Sequence, residues 1–149
     1  MILGIDHVGI AVTDVTAARE TFARLTEQAA GEVEELASQA VRVCFVPGTS
    51  GARLELLEPL GADSPVGRFL ARRGEGLHHV CYAVDDIRAE MSRLAAGGFE
   101  LIDQEPRRGH GGVVAFLHPK SAHGVLVELL QRDKGLFGSA QGRLGTNDE

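Results

Sequence analysis

The chain has 149 residues, of which 44% are hydrophobic and 24% are charged, a composition typical of a globular protein with one domain. Its formal net charge of −6 argues against nucleic acid or an anionic membrane as a partner, so an anionic small molecule would have to be met by a local basic cluster. No apolar run approaches the roughly 18 residues that a membrane-spanning helix needs.

The first half of the chain has the pattern of one strand, one helix and three further strands. Residues 5–13 alternate between apolar side chains and a face that carries His7, Gly9 and Ala11, which predicts a strand. Asp14 is a typical N-cap for the helix that follows. Apolar residues recur along that helix at helical spacing: Val15, Ala18, Phe22 and Leu25. Three short strands are then predicted near 31–36, 41–46 and 52–58.

The second half repeats this order after a linker helix predicted at 62–73, which a Ser-Pro pair begins. A strand carries His79, and the helix after it follows two aspartates and ends at the glycine pair 97–98. Strands are then predicted near 99–103, 112–117 and 124–130. The tail 134–149 is rich in glycine and polar residues, which predicts a flexible segment.

The cysteines and the first residues indicate where the protein works. Cys44 and Cys81 have no paired spacing and lie in predicted apolar strands, as expected for reduced thiols in a core. The opening MILGIDHVGIAV lacks the basic start, the apolar stretch and the cleavage site of a secretory signal. We therefore expect a cytoplasmic protein.

Two segments occur twice and in the same order. GIDHVGIAVTD at 4–14 recurs as GLHHVCYAVDD at 76–86, and LELL at 54–57 recurs as VELL at 127–130. Chance explains either match but hardly both. We predict an α+β fold in which one domain, 1–133, contains two tandem βαβββ modules at about 1–60 and 76–133. A pseudo-twofold axis is expected to relate the modules and to curve a mixed sheet around one cleft.

A histidine opens each half and a glutamate lies near its close. A lone strand histidine is usually structural and a lone strand glutamate usually faces water, but the doubled pattern of His7, Glu55, His79 and Glu128 favours a shared role. A carboxylate in a partly apolar cleft needs a partner or it protonates. Two imidazoles and two carboxylates suit Co²⁺, Mn²⁺, Zn²⁺, Ni²⁺ or Fe²⁺, and they leave two positions of an octahedral ion open for a chelating substrate.

At these residues the sequence resembles the vicinal oxygen chelate superfamily and, within it, the methylmalonyl-CoA epimerases, from about Ile2 to Arg132. The segments that carry the resemblance are IDHVGIAV, LELLEPLGADSPVGRFL, GEGLHHVCYAVDDI, QEPRRGHGG and FLHPKSAHGVLVELLQ. The resemblance implies that one divalent cation is bound by four residues: His7, Glu55, His79 and Glu128. We favour Co²⁺, with Zn²⁺, Mn²⁺ or Ni²⁺ as alternatives.

The resemblance also implies a reaction, the metal-dependent interconversion of (2R)- and (2S)-methylmalonyl-CoA by proton exchange at carbon 2 through a metal-stabilised enolate. Both faces of the planar enolate must exchange a proton. Glu128 is implied as one base. Some epimerases have a second glutamate base near the position of Arg42, and an arginine stays protonated and cannot replace it. Glu55 or a metal-bound water is therefore expected to serve the other face.

Coenzyme A is strongly anionic, and basic side chains in two loops are expected to contact it: Arg107, Arg108, His118 and Lys120. The resemblance further suggests a homodimer. Three alternatives remain open. A glyoxalase-type isomerase acting on a glutathione hemithioacetal shares the four-ligand geometry, whereas an extradiol-type dioxygenase uses two histidines and only one carboxylate. A non-catalytic binding module of the same fold commonly lacks the metal ligands.

Overall fold

The structure is a computed structural model that describes residues 1–48 and 50–134. All but the first residue of the predicted flexible tail lies outside the described residues. The described chain divides into two compact units. The first unit is Ile5–Cys81, and the second combines Met1–Gly4 with the chain from Tyr82 onward. The order βαβββ occurs twice, with one helix between the two occurrences.

The predicted elements of the first half, the linker helix and the strand that opens the second half are present with small shifts of their ends. They are β1 (Ile2–Ala11), α1 (Val15–Thr26), β2 (Glu34–Leu36), β3 (Val41–Val46), β4 (Arg53–Pro59), the linker helix α2 (Pro65–Arg73) and β5 (Gly76–Val84). The first unit contains the strand order β2-β3-β4-β1-β5. β1 pairs with β4 in parallel, and β3 pairs with β2 and with β4 in antiparallel orientation. The sheet is therefore mixed, as predicted.

Helix α1 covers one face of this sheet. Asp14 caps it as predicted, because its side chain accepts hydrogen bonds from the backbone N–H groups of Thr16 and Ala17 at 3.0 and 3.1 Å. The helix packs on a cluster that includes Val12, Val15, Cys44, Val46 and Leu56. Leu25, the last apolar residue at this spacing, lies in the helix but is 73% exposed, so the buried stripe of α1 ends one turn earlier.

Helix α2 covers part of the opposite face, where Val66 packs with Ala11, Val41, Val43 and Leu57. Ser64 caps the helix by accepting a hydrogen bond from Gly67 N at 3.1 Å. Side chains two residues apart on a strand share a face. Ala11 and its register partner Leu57 lie under α2. Every second residue before them, towards the N-terminal ends of β1 and β4, therefore lies on the same face of the sheet. These positions carry the functional residues described below.

The second unit contains α3 (Ile87–Ala96) and the antiparallel strands β6 (Arg107–Gly109), β7 (Gly112–Leu117) and β8 (Val127–Arg132), in the order β8-β7-β6. Asp86 caps α3 through a hydrogen bond from Ala89 N at 3.2 Å, and Gly97 ends it. The core of the unit lies between α3 and the strands: Val84, Ile87, Met91, Leu94, Ala115, Leu117 and Leu129.

The strand predicted at 99–103 was wrong, since only an isolated bridge between Leu101 and Leu117 forms there. The reason is visible at Asp103, whose side chain accepts a hydrogen bond from Phe116 N at 2.8 Å. A carboxylate thus takes a backbone N–H that a neighbouring strand would otherwise bind. The edge strand forms later instead, at β6.

Two other general predictions agree with the structure. The fold is α+β, and Cys44 and Cys81 are buried. Within the described residues, no helix combines the length and the apolar character needed to cross a membrane. The pseudo-twofold relation between the modules stays a prediction.

Candidate metal centre

Three side chains that the sequence singled out meet within the first unit: His7 on β1, Glu55 on β4 and His79 on β5. The Nε2 atoms of His7 and His79 are 3.1 Å apart. Glu55 Oε1 lies 3.5 Å from the first Nε2 and 3.4 Å from the second. All three residues are buried, and β4, β1 and β5 are neighbours in the sheet. Three adjacent strands therefore each contribute one donor atom to a single point.

The spacing of these atoms fits a shared divalent cation. Ligand atoms bound at about 2.1 Å to one ion and separated by about 90° to 110° lie roughly 3.0 to 3.4 Å from one another. The observed separations of 3.1 to 3.5 Å are close to that range. Two imidazole nitrogens and a carboxylate oxygen are donors for borderline ions such as Co²⁺, Zn²⁺, Mn²⁺ and Ni²⁺. The three residues present are thus suited to hold such an ion.

Gly9 makes this approach possible. It pairs with Glu55 in the register of β1 and β4. A Cβ atom on Gly9 would lie 2.1 Å from Cε1 and 2.3 Å from Nδ1 of His79. Any side chain there would displace the imidazole, so the lack of a side chain at Gly9 leaves room for His79.

The two imidazoles have different supporting contacts. Nδ1 of His7 lies 2.6 Å from Oδ2 of Asp6, which also accepts a hydrogen bond from Nη2 of Arg53 at 3.0 Å. Nδ1 of His79 lies 2.9 Å from Nδ1 of His78, whose ring meets Phe69 of α2 edge-on. Strand alternation assigns Asp6 and His78 to the face opposite the ligands, so sequence reasoning missed both contacts.

Glu128, the fourth predicted ligand, lies on β8 in the second unit. It is half-buried and pairs with Phe116 of β7 in the antiparallel register. Its neighbour Leu129 belongs to the core under α3, so alternation directs the glutamate to the other face of β8. Its membership of the ligand set stays a prediction.

The four residues predicted to contact coenzyme A all lie in the second unit. Arg107 Nε donates to Asp103 Oδ1 at 3.0 Å, and Arg108 forms a salt bridge with Asp133. His118 Nδ1 accepts from Lys120 N at 3.1 Å; this contact caps a short 3-10 turn. The sequence reasoning missed the two aspartates that neutralise the arginines. The side chain of Lys120 is exposed.

Arg42 does not lie on the face that carries Glu55. It pairs with Glu58 in the register of β3 and β4, and its Nη1 donates to the carboxylate of Glu58 at 2.8 Å. On β3 it is the neighbouring Val43 that shares the face of Glu55. Arg42 therefore does not share the face of Glu55, and neither Arg42 nor the neighbouring Val43 can act as a base.

Comparison with known proteins identifies the family to which the chain is similar. The model of the glyoxalase/bleomycin resistance protein/dioxygenase superfamily matches residues 6–116. An ethylmalonyl-CoA/methylmalonyl-CoA epimerase of Cereibacter sphaeroides is 40% identical over 136 residues, which cover 88% of this chain and 99% of that protein.

Solved structures agree with this comparison. A methylmalonyl-CoA epimerase from Mycobacterium tuberculosis is 33% identical with a TM-score of 0.85, over 92% of this chain and 93% of that one. A variant of Streptomyces coelicolor methylmalonyl-CoA epimerase in complex with 2-nitronate-propionyl-CoA is 36% identical with a TM-score of 0.81. That match covers 89% of this chain and 99% of the other.

Proposed function

The chain belongs to the glyoxalase/bleomycin resistance protein/dioxygenase superfamily, and on that premise we propose that it interconverts the two epimers of methylmalonyl-CoA with the help of a divalent cation. The observation that carries the proposal is the meeting of His7, Glu55 and His79 at one buried point. Near full-length relatives that are epimerases of methylmalonyl-CoA support the choice of reaction. Co²⁺ is the ion we favour.

The role of each residue follows from the chemistry. When bound, the cation supplies Lewis acidity that stabilises negative charge on an oxygen of the substrate. His7, His79 and Glu55 would hold it, and we include Glu128 as a fourth ligand. Inversion at carbon 2 requires that a proton leaves one face and returns to the other. We assign these transfers to Glu128 and Glu55, the two carboxylates of the predicted ligand set.

The substrate also brings the anionic groups of coenzyme A. Lys120 is our first candidate for a phosphate contact, because its ammonium group is exposed. Arg107 and Arg108 engage Asp103 and Asp133, so these arginines would have to exchange a carboxylate for a phosphate. His118, two residues before Lys120, is proposed to contact the substrate as well. A homodimer and a cytoplasmic location complete the proposal.

Deuterium exchange tests the reaction directly. The protein is stripped of metal, incubated with (2R)-methylmalonyl-CoA in deuterated water, and then supplied with Co²⁺. We expect deuterium at carbon 2 together with formation of the (2S) epimer, only after the metal is added. A parallel assay offers a glutathione hemithioacetal. Turnover of the hemithioacetal without exchange at carbon 2 would show a glyoxalase-type isomerase and refute the proposed function.

A further inference from the structure

We propose that Asp6 and Arg53 form a buried ion pair that positions His7 and sets the affinity of the site for its cation. The inference rests on the metal-binding part of the proposed function, and it concerns residues to which the sequence analysis assigned no role. Both residues belong to the first unit, where the candidate ligands His7, Glu55 and His79 also lie.

The contacts form a closed ring of four side chains. Asp6 Oδ2 lies 2.6 Å from His7 Nδ1 and 3.0 Å from Arg53 Nη2. The guanidinium of Arg53 stacks 4.1 Å from the centre of the Phe45 ring, and Phe45 meets the His7 ring edge-on at a centroid distance of 5.8 Å. Each member therefore restrains two others, and the orientation of the His7 ring is fixed from two sides.

The contact with Asp6 also determines which nitrogen of His7 is available to a metal. An ionised carboxylate can only accept a hydrogen bond, so Asp6 requires the proton of a neutral His7 on Nδ1. The lone pair then lies on Nε2, the atom that faces Glu55 and His79. A negatively charged acceptor behind an imidazole raises its basicity as a ligand.

Arg53 provides a counter-ion for the carboxylate of Asp6. Only 4% of Asp6 is exposed, and a carboxylate so deeply buried needs a counter-ion. Arg53 supplies it although its own Nε is buried and has no hydrogen-bond partner among the described residues. Burying that N–H without a partner is unfavourable. The position of Arg53 is therefore better explained by its action on Asp6 than by its own hydrogen bonds.

The test measures metal affinity rather than turnover. Asp6→Asn keeps the shape of the side chain and removes its charge. We expect it to bind Co²⁺ about 10- to 100-fold more weakly, as found when outer partners of metal-bound histidines are removed. The measurement is competition with a chromophoric chelator, with the visible absorption of bound Co²⁺ as a second readout. Affinity equal to that of the wild type would overturn the proposal.

A double-mutant cycle tests whether Arg53 acts through Asp6. Arg53→Met should change Co²⁺ affinity in the wild-type background and leave it unchanged in the Asp6→Asn background. Arg42→Met is the matched control, because Arg42 forms a comparable ion pair with Glu58 on the other face of the same sheet. It should leave Co²⁺ affinity unchanged. Equal effects of Arg53→Met in both backgrounds would refute action through Asp6.

One measurement needs no variant that might misfold. Long-range ¹H–¹⁵N NMR of the metal-free wild type should find His7 with its proton on Nδ1; a proton on Nε2 would contradict the positioning role. The outcomes also separate this inference from the proposed function. Normal Co²⁺ binding by both wild type and Asp6→Asn refutes the inference alone, whereas a wild type that binds no divalent ion refutes the proposed function.

Discussion

The two strands that open the halves, β1 and β5, carry the same motif and present the same candidate ligand, a histidine, in different surroundings. His7 is backed by the anion Asp6, whereas His79 is backed by the imidazole of His78. Two residues after each histidine stand Gly9 and Cys81. The repeat has thus kept the atom that faces the candidate metal, while the supporting residues differ.

This difference has a physical reason. Only Nε2 of each imidazole faces the common point, so the shared feature needs only a histidine on the correct face. The surroundings of the two imidazole rings differ, because the ring of His79 lies against the backbone of Gly9 on β1. The two histidines are therefore expected to be equal as ligands and unequal in what they require from their neighbours.

Removing each imidazole in turn tests whether His7 and His79 are equal as ligands. His7→Ala and His79→Ala each remove one imidazole from the cation. We expect each to lower kcat/KM by roughly 10³-fold, because Lewis-acid stabilisation is worth several kcal/mol and about 1.4 kcal/mol corresponds to a factor of ten. Bound cobalt, measured by mass spectrometry, should fall in parallel. His123→Asn, a change in a turn, is the control and should retain activity. Full activity of either alanine variant would show that the two histidines are not equal as ligands.

The two glutamates extend the comparison to the other end of each half. Glu55→Gln and Glu128→Gln keep the shape of the side chain and remove its basicity. If both carboxylates transfer protons, we expect each to lower kcat by about 100-fold. Deuterium exchange started from the (2R) and from the (2S) epimer measures the two faces separately. Full activity of Glu55→Gln would remove Glu55 as a base while leaving it possible as a ligand.

Much of the fold could be predicted because its signals are local. Alternation along β1 and the cap at Asp14 depend only on neighbouring residues, and the structure has both. The strand at 99–103 could not be excluded from sequence, since the side chain of Asp103 replaces a backbone partner only once β7 lies beside it. Local patterns do not reveal that competition.

The residues of the candidate site also differ in how far the sequence could predict them. His7, Glu55 and His79 stand out in the sequence because the repeat marks them. Asp6 lies in the same motif, but strand alternation directs it to the other face, and its contact with Arg53 depends on the parallel pairing of β1 with β4. Supporting residues of this kind emerge from strand register, which a single sequence without a repeat at that position does not specify.

A smaller loss of Co²⁺ affinity is expected when a side chain is added at Gly9 on β1. Gly9→Ala brings a Cβ into the ring of His79, which should weaken Co²⁺ binding and reduce the free energy of unfolding by about 1 to 3 kcal/mol, as overpacking does. Gly61→Ala is the control, since a Cβ there meets nothing within 4 Å. Unchanged Co²⁺ affinity in Gly9→Ala would show that His79 does not depend on this space.

The turns that precede the two glutamate strands are expected to affect substrate binding only weakly. The turn of the second half carries Lys120, whereas residues 47–52 of the first half carry no charge. Lys120→Glu should raise KM for methylmalonyl-CoA about fivefold with little change in kcat, because an exposed ion pair contributes at most about 1 kcal/mol. Ser50→Glu places the same charge on the first turn and should leave KM unchanged. If Lys120→Glu lowered kcat and kept KM, the lysine would act near the reacting carbon, and the two turns would differ in chemistry rather than in binding.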